Sequence, residues 1–234
     1  MKKIYAGTSG WAYPSWKPAF YPQKLASAGF LSHYAGRLNS VEVNYTFRRL
    51  LAPKLAKEWI RATPEGFLFA VKAHQAITHF KRLRDARSQT QKFLGSLRPL
   101  VKARKLGPVL FQLPPNFKSD LGRLEKFLSS LPRQLRYSFE FRHASWFTEE
   151  VYDLLRAFNV ALCLAESDEF ATPEVTTAKF SYLRLRREKY SARALAKVIA
   201  RAKTLRRHGD VFVYFKHEET PEGAHYAESL VRLR

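Results

Sequence analysis

The 234 residues carry 41 lysines and arginines against 20 acidic residues, a formal charge of +21, with 46% hydrophobic content and one cysteine, Cys163. That apolar content can fill the core of one barrel-sized domain or two smaller ones and argues against disorder, while the lone cysteine excludes an internal disulfide framework and a cysteine-rich metal site. No apolar run is long enough to span a bilayer, and MKKIYAGTSGW enters a strand directly rather than a signal-peptide apolar stretch, so a soluble, cytoplasmic protein without a membrane partner is expected.

Eight strand-like segments follow in chain order: KIYAGTS (3–9), SVEVNYTF (40–47), GFLFAVKAH (66–74), PVLFQLP (108–114), RYSFEFRH (136–143), VALCLAES (160–167), FSYLRLR (180–186) and VFVYFKH (211–217). Helical periodicity fills most of the intervals. Phe30, Leu31, Tyr34, Ala35 and Leu38 recur at three and four, as do Leu55, Trp59 and Ile60 behind Pro53, a residue suited to a first turn. Later helices follow a Ser119 or Asp120 cap, Thr148 and Ser191, and the last runs through Ala224, Ala227, Leu230 and Val231. Pro99 sits inside the third helix, and the interval from Ser167 to Lys179 is too short for a good sixth one.

Strand alternating with helix eight times predicts an α/β fold, one parallel eight-stranded TIM-type (β/α)8 barrel over residues 1–234 with a weak or missing sixth helix. The glycines of GTSGWAYPSW have the wrong spacing for a dinucleotide fingerprint. In such a barrel alternate strand residues face inward, and those late in each strand form the mouth. The alternation places Glu42 and Asn44, Lys72 and His74, Gln112, Ser138, Glu140 and Arg142, then Arg184 and Arg186, and finally Lys216 at that mouth; Glu166 is a weaker member. The spacing Ser-x-Glu-x-polar occurs twice, in SVEVN and SFEFR.

The inward cations outnumber the inward carboxylates, which suits an anion, and phosphate above all for arginine's planar fork. A purely structural network of paired charges is the competing reading. Along the chain, Lys81 to Lys105 holds nine basic residues and one acid, and Arg184 to Arg207 ten and one, whereas Glu140 to Glu174 holds eight acids and two arginines. Such polarisation fits a polyanion partner, nucleic acid first, or solvated helix faces. Glu42 and Glu140 are candidates for general acid and base and His143 for proton carrier. Asn44, Lys72, His74, Gln112, Arg142, Arg184, Arg186 and Lys216 are candidates for anion binding. Carboxylates and imidazoles together leave room for a divalent metal, but the spacing of His74 and His79 matches no familiar ligand pattern. Trp11, Tyr13 and Trp16, with Trp146 after the fifth strand, form either an aromatic lid on which bases stack or a hydrophobic plug.

Five motifs in order, GTSGWAYPSWKPAFYP, VEVNYTF, FAVKAHQAITH, LGPVLFQLPPNF and FEFRHASW, resemble the YecE-like family, also named domain of unknown function 72. The resemblance runs essentially end to end and implies a TIM-type barrel. It carries no established activity, only a fold-level analogy with barrel endonucleases acting on damaged DNA. By position, the family's motif residues fall on Gly7, Ser9, Trp11, Tyr13, Trp16, Glu42, Asn44, Lys72, His79, Gln112, Glu140, Arg142, His143 and Trp146. Departures occur at two strand ends, where RLRR (184–187) stands in place of Arg-x-His-Gly and FKH (215–217) in place of Phe-Asn-Asn. Hydrolysis of phosphodiesters, simple nucleic-acid binding and chemistry on a small phosphorylated metabolite all remain open.

Overall fold

The computed structural model describes residues 2–232. Its eight strands are β1 (Ile4–Thr8), β2 (Ser40–Val43), β3 (Leu68–Lys72), β4 (Leu106–Gln112), β5 (Tyr137–Glu140), β6 (Ala161–Glu166), β7 (Phe180–Leu185) and β8 (Asp210–Phe215). All neighbours pair in parallel in the order β1-β8-β7-β6-β5-β4-β3-β2. The eight expected strands are therefore present as a near-closed barrel. The helices are α1 (Phe30–Arg37), α2 (Pro53–Arg61), α3 (Arg87–Ser96), α4 (Arg98–Lys102), α5 (Leu121–Ser129), α6 (Glu149–Ala157), α7 (Ala192–Arg206) and α8 (Glu222–Val231).

Side-chain alternation divides the strands as the barrel requires. Val41, Val43, Phe69, Val71, Phe111, Phe139, Leu183 and Val213 pack outward in the large core beneath the helices. Leu68, Ala70, Leu110, Cys163, Tyr182, Phe212 and Tyr214 fill the interior as a separate cluster. Both layers are closed to water, so the barrel is a packed core below its mouth.

Several local expectations change in the structure. The second strand ends at Val43, because Asn44 turns to helical dihedrals and Phe47 N–H donates to Asn44 O at 3.0 Å. Tyr45 and Phe47 thus leave the outer face that their parity assigned them. The fourth strand starts at Leu106, before Pro108, and the β3–β4 register shifts between Phe69 and Val71. A proline lacks the N–H that a central ladder needs, and a bulge accommodates it. Pro99 divides the third helical stretch into α3 and α4, standing near the start of α4 where its missing donor costs nothing. Asp120 and Ser191 cap α5 and α7 through their side chains, whereas Thr148 occupies the cap position of α6 without such a bond.

No helix connects β6 to β7 among the described residues. Instead the chain returns along β6: Thr172 N–H donates to Ala165 O at 2.9 Å, and the Thr177 hydroxyl accepts from Leu162 N–H at 2.7 Å. Threonine side chains here supply the backbone partners that a longer connection would have placed in regular structure.

The seam between β1 and β2 is closed by one bridge, Ser9 to Glu42, and by side chains standing in for backbone. Asn39 accepts from Ala6 N–H at 2.8 Å and donates to Ile4 O at 2.9 Å, so its amide mimics a strand residue. The Tyr34 hydroxyl accepts from Thr8 N–H at 2.8 Å and donates to Ser40 O at 3.1 Å. Gly7 permits the approach, since a Cβ there would stand 1.9 Å from Ser40 O.

Candidate functional site

The floor of the mouth is one arginine held between two carboxylates. Arg184, near the end of β7, donates from Nε to Glu42 Oε2 at 2.8 Å and from Nη2 to Glu42 Oε1 at 2.7 Å, and its Nη1 reaches Glu140 Oε2. Glu42 also accepts from Ser9 Oγ at 2.8 Å and from Tyr182 Oη at 2.7 Å. Gln112 donates to Glu140 at 2.9 Å from the adjoining strand. All three charged groups are buried, with Arg184 3%, Glu42 0% and Glu140 2% exposed. Buried charges survive only with such complete pairing.

The expected picture of Glu42 and Glu140 facing each other across a substrate is therefore corrected: Arg184 occupies the space between them. Burial pushes the Glu140 carboxyl up, but Arg184, Arg142 and Gln112 outweigh that and hold it below the usual carboxylate range. A carboxyl held so firmly ionised is a poor general acid.

Two more arginines lie on the solvent side of Glu140. Arg142 donates from Nε to Oε1 at 3.1 Å, and Arg186 Nη2 is 3.2 Å from both oxygens. Each side chain stays partly exposed. Lys72, the last residue of β3, forms no ion pair among the described residues; its Nζ lies 4.1 Å from the Phe47 ring centre. Burial pushes its pKa down to about 8, with Arg184 adding to the effect, while Glu42 and Glu140 pull the other way. Four cations against two carboxylates leave this cluster with surplus positive charge.

Other predicted site residues are placed elsewhere. Lys216 is exposed and lies 3.8 Å from Glu218. Glu166 points outward, where it accepts from Tyr190 Oη at 3.0 Å and pairs with Arg187 at 3.2 Å, because its inward neighbour is Ala165. His143 Nδ1 accepts from Ser145 N–H at 3.2 Å and faces Ser145 Oγ at 2.8 Å; it caps a turn, and its hydrogen bonds do not run to the carboxylates. His74 Nδ1 likewise accepts from Ala76 N–H at 3.2 Å, an anchor for its own loop. Asn44 Oδ1 is buried without a partner.

The aromatic lid is also revised. Trp16 and Trp146 are 0% exposed: Trp16 packs with Phe20 and Tyr21, and Trp146 stacks on Phe141 at 4.6 Å and donates to Phe117 O at 2.7 Å. Trp11 meets Trp59 edge on, and the Tyr13 hydroxyl donates to Ser9 O at 2.7 Å. These rings form the plug. Three aromatic side chains are exposed in the loops after β2, β3 and β6: Tyr45 (41%), which parity had assigned to the outer face, and Phe80 (73%) and Phe170 (41%), which sequence reasoning passed over. Phe80 and Phe170 lie outside the expected strands, and Tyr45 is exposed because β2 stops at Val43 rather than Phe47.

Two hollows open at the mouth. One, about 360 Å³, is lined by Asn44, Tyr45, Phe47, Arg48, Arg49 and Lys72. The other, about 340 Å³, is lined by Glu140, Arg142, Arg186 and Phe170 among others. Larger hollows of about 510 and 790 Å³ lie beside α7 and between α3 and α5, away from the inward strand residues. No group of three or more His, Cys, Asp or Glu side chains among the described residues is arranged to share a metal ion. The two buried carboxylates are already committed to Arg184, so these residues do not fit a resident metal. No helix among them is long and apolar enough to cross a membrane.

The family described as "Protein of unknown function DUF72" matches residues 5–234. The UPF0759 protein YunF of Bacillus subtilis is 32% identical over 162 residues, covering 66% of this chain and 56% of the relative. The UPF0759 protein YecE of Escherichia coli K12 is 33% identical over 147 residues, 62% of this chain and 51% of the relative. The matched stretches thus span about half the length of these curated relatives. Among solved structures, a DUF72 family protein from Thermotoga maritima superposes with a TM-score of 0.86 at 26% identity, over 99% of this chain and 98% of that one. An AP endonuclease of family 2 from Brucella melitensis has a TM-score of 0.53 at 11% identity over 93% of both chains, a distant likeness in fold alone.

Proposed function

The chain belongs to the DUF72 family, and from that premise we propose that its barrel mouth binds a phosphate-bearing polyanion, single-stranded nucleic acid being the class it suits best. The observation that carries this reading is the surplus of cations over carboxylates at the strand ends, with Lys72 free of any ion pair among the described residues and Arg48 and Arg49 lining the same hollow. Arginine and lysine groups of this kind hold phosphate. Exposed Tyr45, Phe80 and Phe170 add ring faces on which unpaired bases stack.

Binding is favoured over hydrolysis. The two carboxylates that would act as acid and base are clamped by Arg184, and His143 is spent on its turn. The AP endonuclease likeness supports the barrel and contributes nothing to a choice of reaction. A small phosphorylated metabolite is the second reading, favoured by the size of the two mouth hollows, each in the range of small-ligand sites.

The test is fluorescence anisotropy of a labelled single-stranded oligonucleotide across a salt series. Affinity should fall steeply as salt rises, with a log–log slope of about −0.7 for each phosphate neutralised. Flat, weak binding at every salt concentration would overturn the proposal. Competition by inorganic phosphate with no measurable oligonucleotide binding would favour the small-metabolite reading.

A further inference from the structure

We propose that Lys72 is a nucleophilic amine that condenses with the aldehyde of a phosphate-bearing substrate, a proposal that deepens the anion-binding reading of the mouth and rests on it. Of the four cations Lys72, Arg142, Arg184 and Arg186, Lys72 alone is not fastened to Glu42 or Glu140 among the described residues. Its backbone is fixed, since the Thr46 hydroxyl donates to Lys72 O at 2.7 Å. Its side chain ends in the hollow lined by Asn44, Phe47, Arg48 and Arg49, with Nζ against the Phe47 ring.

A lysine serves as a carbonyl nucleophile when desolvation or a neighbouring cation keeps part of it uncharged. Both influences act here, burial first and Arg184 second, and they bring the amine to a pKa of about 8. At pH 7.5 about a quarter of such an amine is unprotonated, against roughly one part in a thousand for an ordinary lysine. Asn44 lines the same hollow, and its Oδ1, buried and without a partner, needs only a side-chain rotation to accept from a substrate hydroxyl or the protonated imine. Arg48 and Arg49 supply charge for the adjoining phosphate.

The step balances without a co-reactant. The amine lone pair forms a bond to the carbonyl carbon while the π pair moves to oxygen, giving a carbinolamine after proton transfer. Loss of that oxygen with both amine hydrogens as one water leaves the neutral C=N bond. The shared chemistry is an aldehyde near a phosphate. A ring-opened, base-free deoxyribose in a nucleic-acid strand has it, and so does a free aldehyde phosphate.

The experiment is reductive trapping with cyanoborohydride, which adds hydride to the imine carbon and fixes the adduct as a secondary amine. Probes are glycolaldehyde phosphate, a single-stranded oligonucleotide carrying one base-free deoxyribose, and the same strand with a tetrahydrofuran residue that has no aldehyde. Intact mass and peptide mapping locate the adduct, and anisotropy on the same oligonucleotides reports binding. The expected result is an adduct on Lys72 whose rate of formation rises with pH through about 8, absent with the tetrahydrofuran strand, and lost by more than tenfold in both Lys72→Ala and Lys72→Arg. Circular dichroism on the two variants verifies the fold.

An adduct spread over surface lysines and unchanged in Lys72→Arg would overturn the proposal. So would salt-sensitive binding of the base-free strand with no trapping, a result that leaves the binding function standing. Trapping at Lys72 without salt-sensitive oligonucleotide binding would keep this proposal and sink that function. Trapping of glycolaldehyde phosphate but not of the strand would support it with a small sugar phosphate as the source.

Discussion

Arg184 and Glu42 meet fork to fork in the floor of the barrel, with both guanidinium bonds to the carboxylate under 3 Å: Nε to Oε2 at 2.8 Å and Nη2 to Oε1 at 2.7 Å. They lie 142 residues apart in sequence, so the pair ties the strand after the first helix to the strand before α7. Because both are buried, the pair fixes geometry more than it adds net stability. It holds Glu140 as well, and through Glu140 it positions Arg142 and Arg186 at the rim.

Removing only the arginine leaves Glu42 buried without a cation and Glu140 with only Arg142 and Arg186 on its solvent side. Arg184→Met should destabilise the protein by about 3–5 kcal/mol, a loss typical of breaking one side of a buried pair. In a background of Glu42→Gln and Glu140→Gln the same substitution should cost much less, since no buried charge is then stranded. Urea unfolding of the four proteins checks this, and equal costs in both backgrounds would contradict the network.

Glu140 gives the pH dependence a definite sign. Its folded-state pKa is depressed by its arginines and Gln112 against the opposing effect of burial, so the unfolded chain binds its proton more readily. Its contribution to stability is complete above the unfolded value of about 4.3 and disappears as pH falls through the lower folded value. Unfolding midpoints measured on the acid side should fall less steeply in Glu140→Gln than in the parent, although the variant begins lower at neutral pH.

At the β1–β2 seam, Asn39→Ala removes both backbone substitutes at once, leaving Ala6 N–H and Ile4 O without their partner. Each orphaned group costs about 1–3 kcal/mol when water cannot replace the bond. Hydrogen exchange should accelerate in β1 well before it does in β6 or β7. Gly7→Ala should be worse, because the added carbon meets the Ser40 carbonyl rather than a movable side chain.

The barrel was legible because eight apolar alternations carry their own phase, and a phase fixes which residues face inward. Glu42, Gln112, Glu140 and Arg184 were all found by it. What parity could not give was distance. Arg184 and Arg186 share a face, yet one sits at the buried floor between both carboxylates and the other at the rim beside Glu140. Lys216 shares that face too, but it lies one residue beyond the end of β8 and turns to solvent against Glu218. Parity also failed where strands stop. Asn44 begins a turn, and the aromatic residues after it could not be sorted into plug and exposed rim by pattern alone.

The rim cations predict a measurable electrostatic change. At about pH 6.5, where Lys72 is almost wholly protonated, Lys72→Ala and Arg142→Ala should each weaken oligonucleotide binding and make the salt slope shallower by about 0.7, one phosphate contact apiece. Neither residue is wholly buried, and Glu140 keeps Arg184 and Arg186 when Arg142 is gone. Stability should consequently change far less than in Arg184→Met. A slope unaltered in both variants would place bound phosphate elsewhere on this basic surface.

The aromatic rings separate a binding rim from a packed core most sharply. Phe80 is 73% exposed, so truncating it removes little buried area and should leave the unfolding midpoint nearly unchanged, while Tyr45 and Phe170, each touching one further ring, should lose some stability but far less than a fully buried ring. Where a base stacks on the ring, the same truncation should cost about 1–3 kcal/mol in oligonucleotide affinity. Trp146 presents the opposite case: it is fully buried, stacked on Phe141 and hydrogen-bonded to Phe117 O. Trp146→Ala should cost about 3–5 kcal/mol of stability through the cavity it leaves. Parallel measurements of unfolding and anisotropy decide the matter. Affinity lost in Tyr45→Ala, Phe80→Ala or Phe170→Ala while the protein stays folded supports stacking at the mouth, whereas affinity unchanged in all three confines recognition to the cations and removes the reason for preferring single strands.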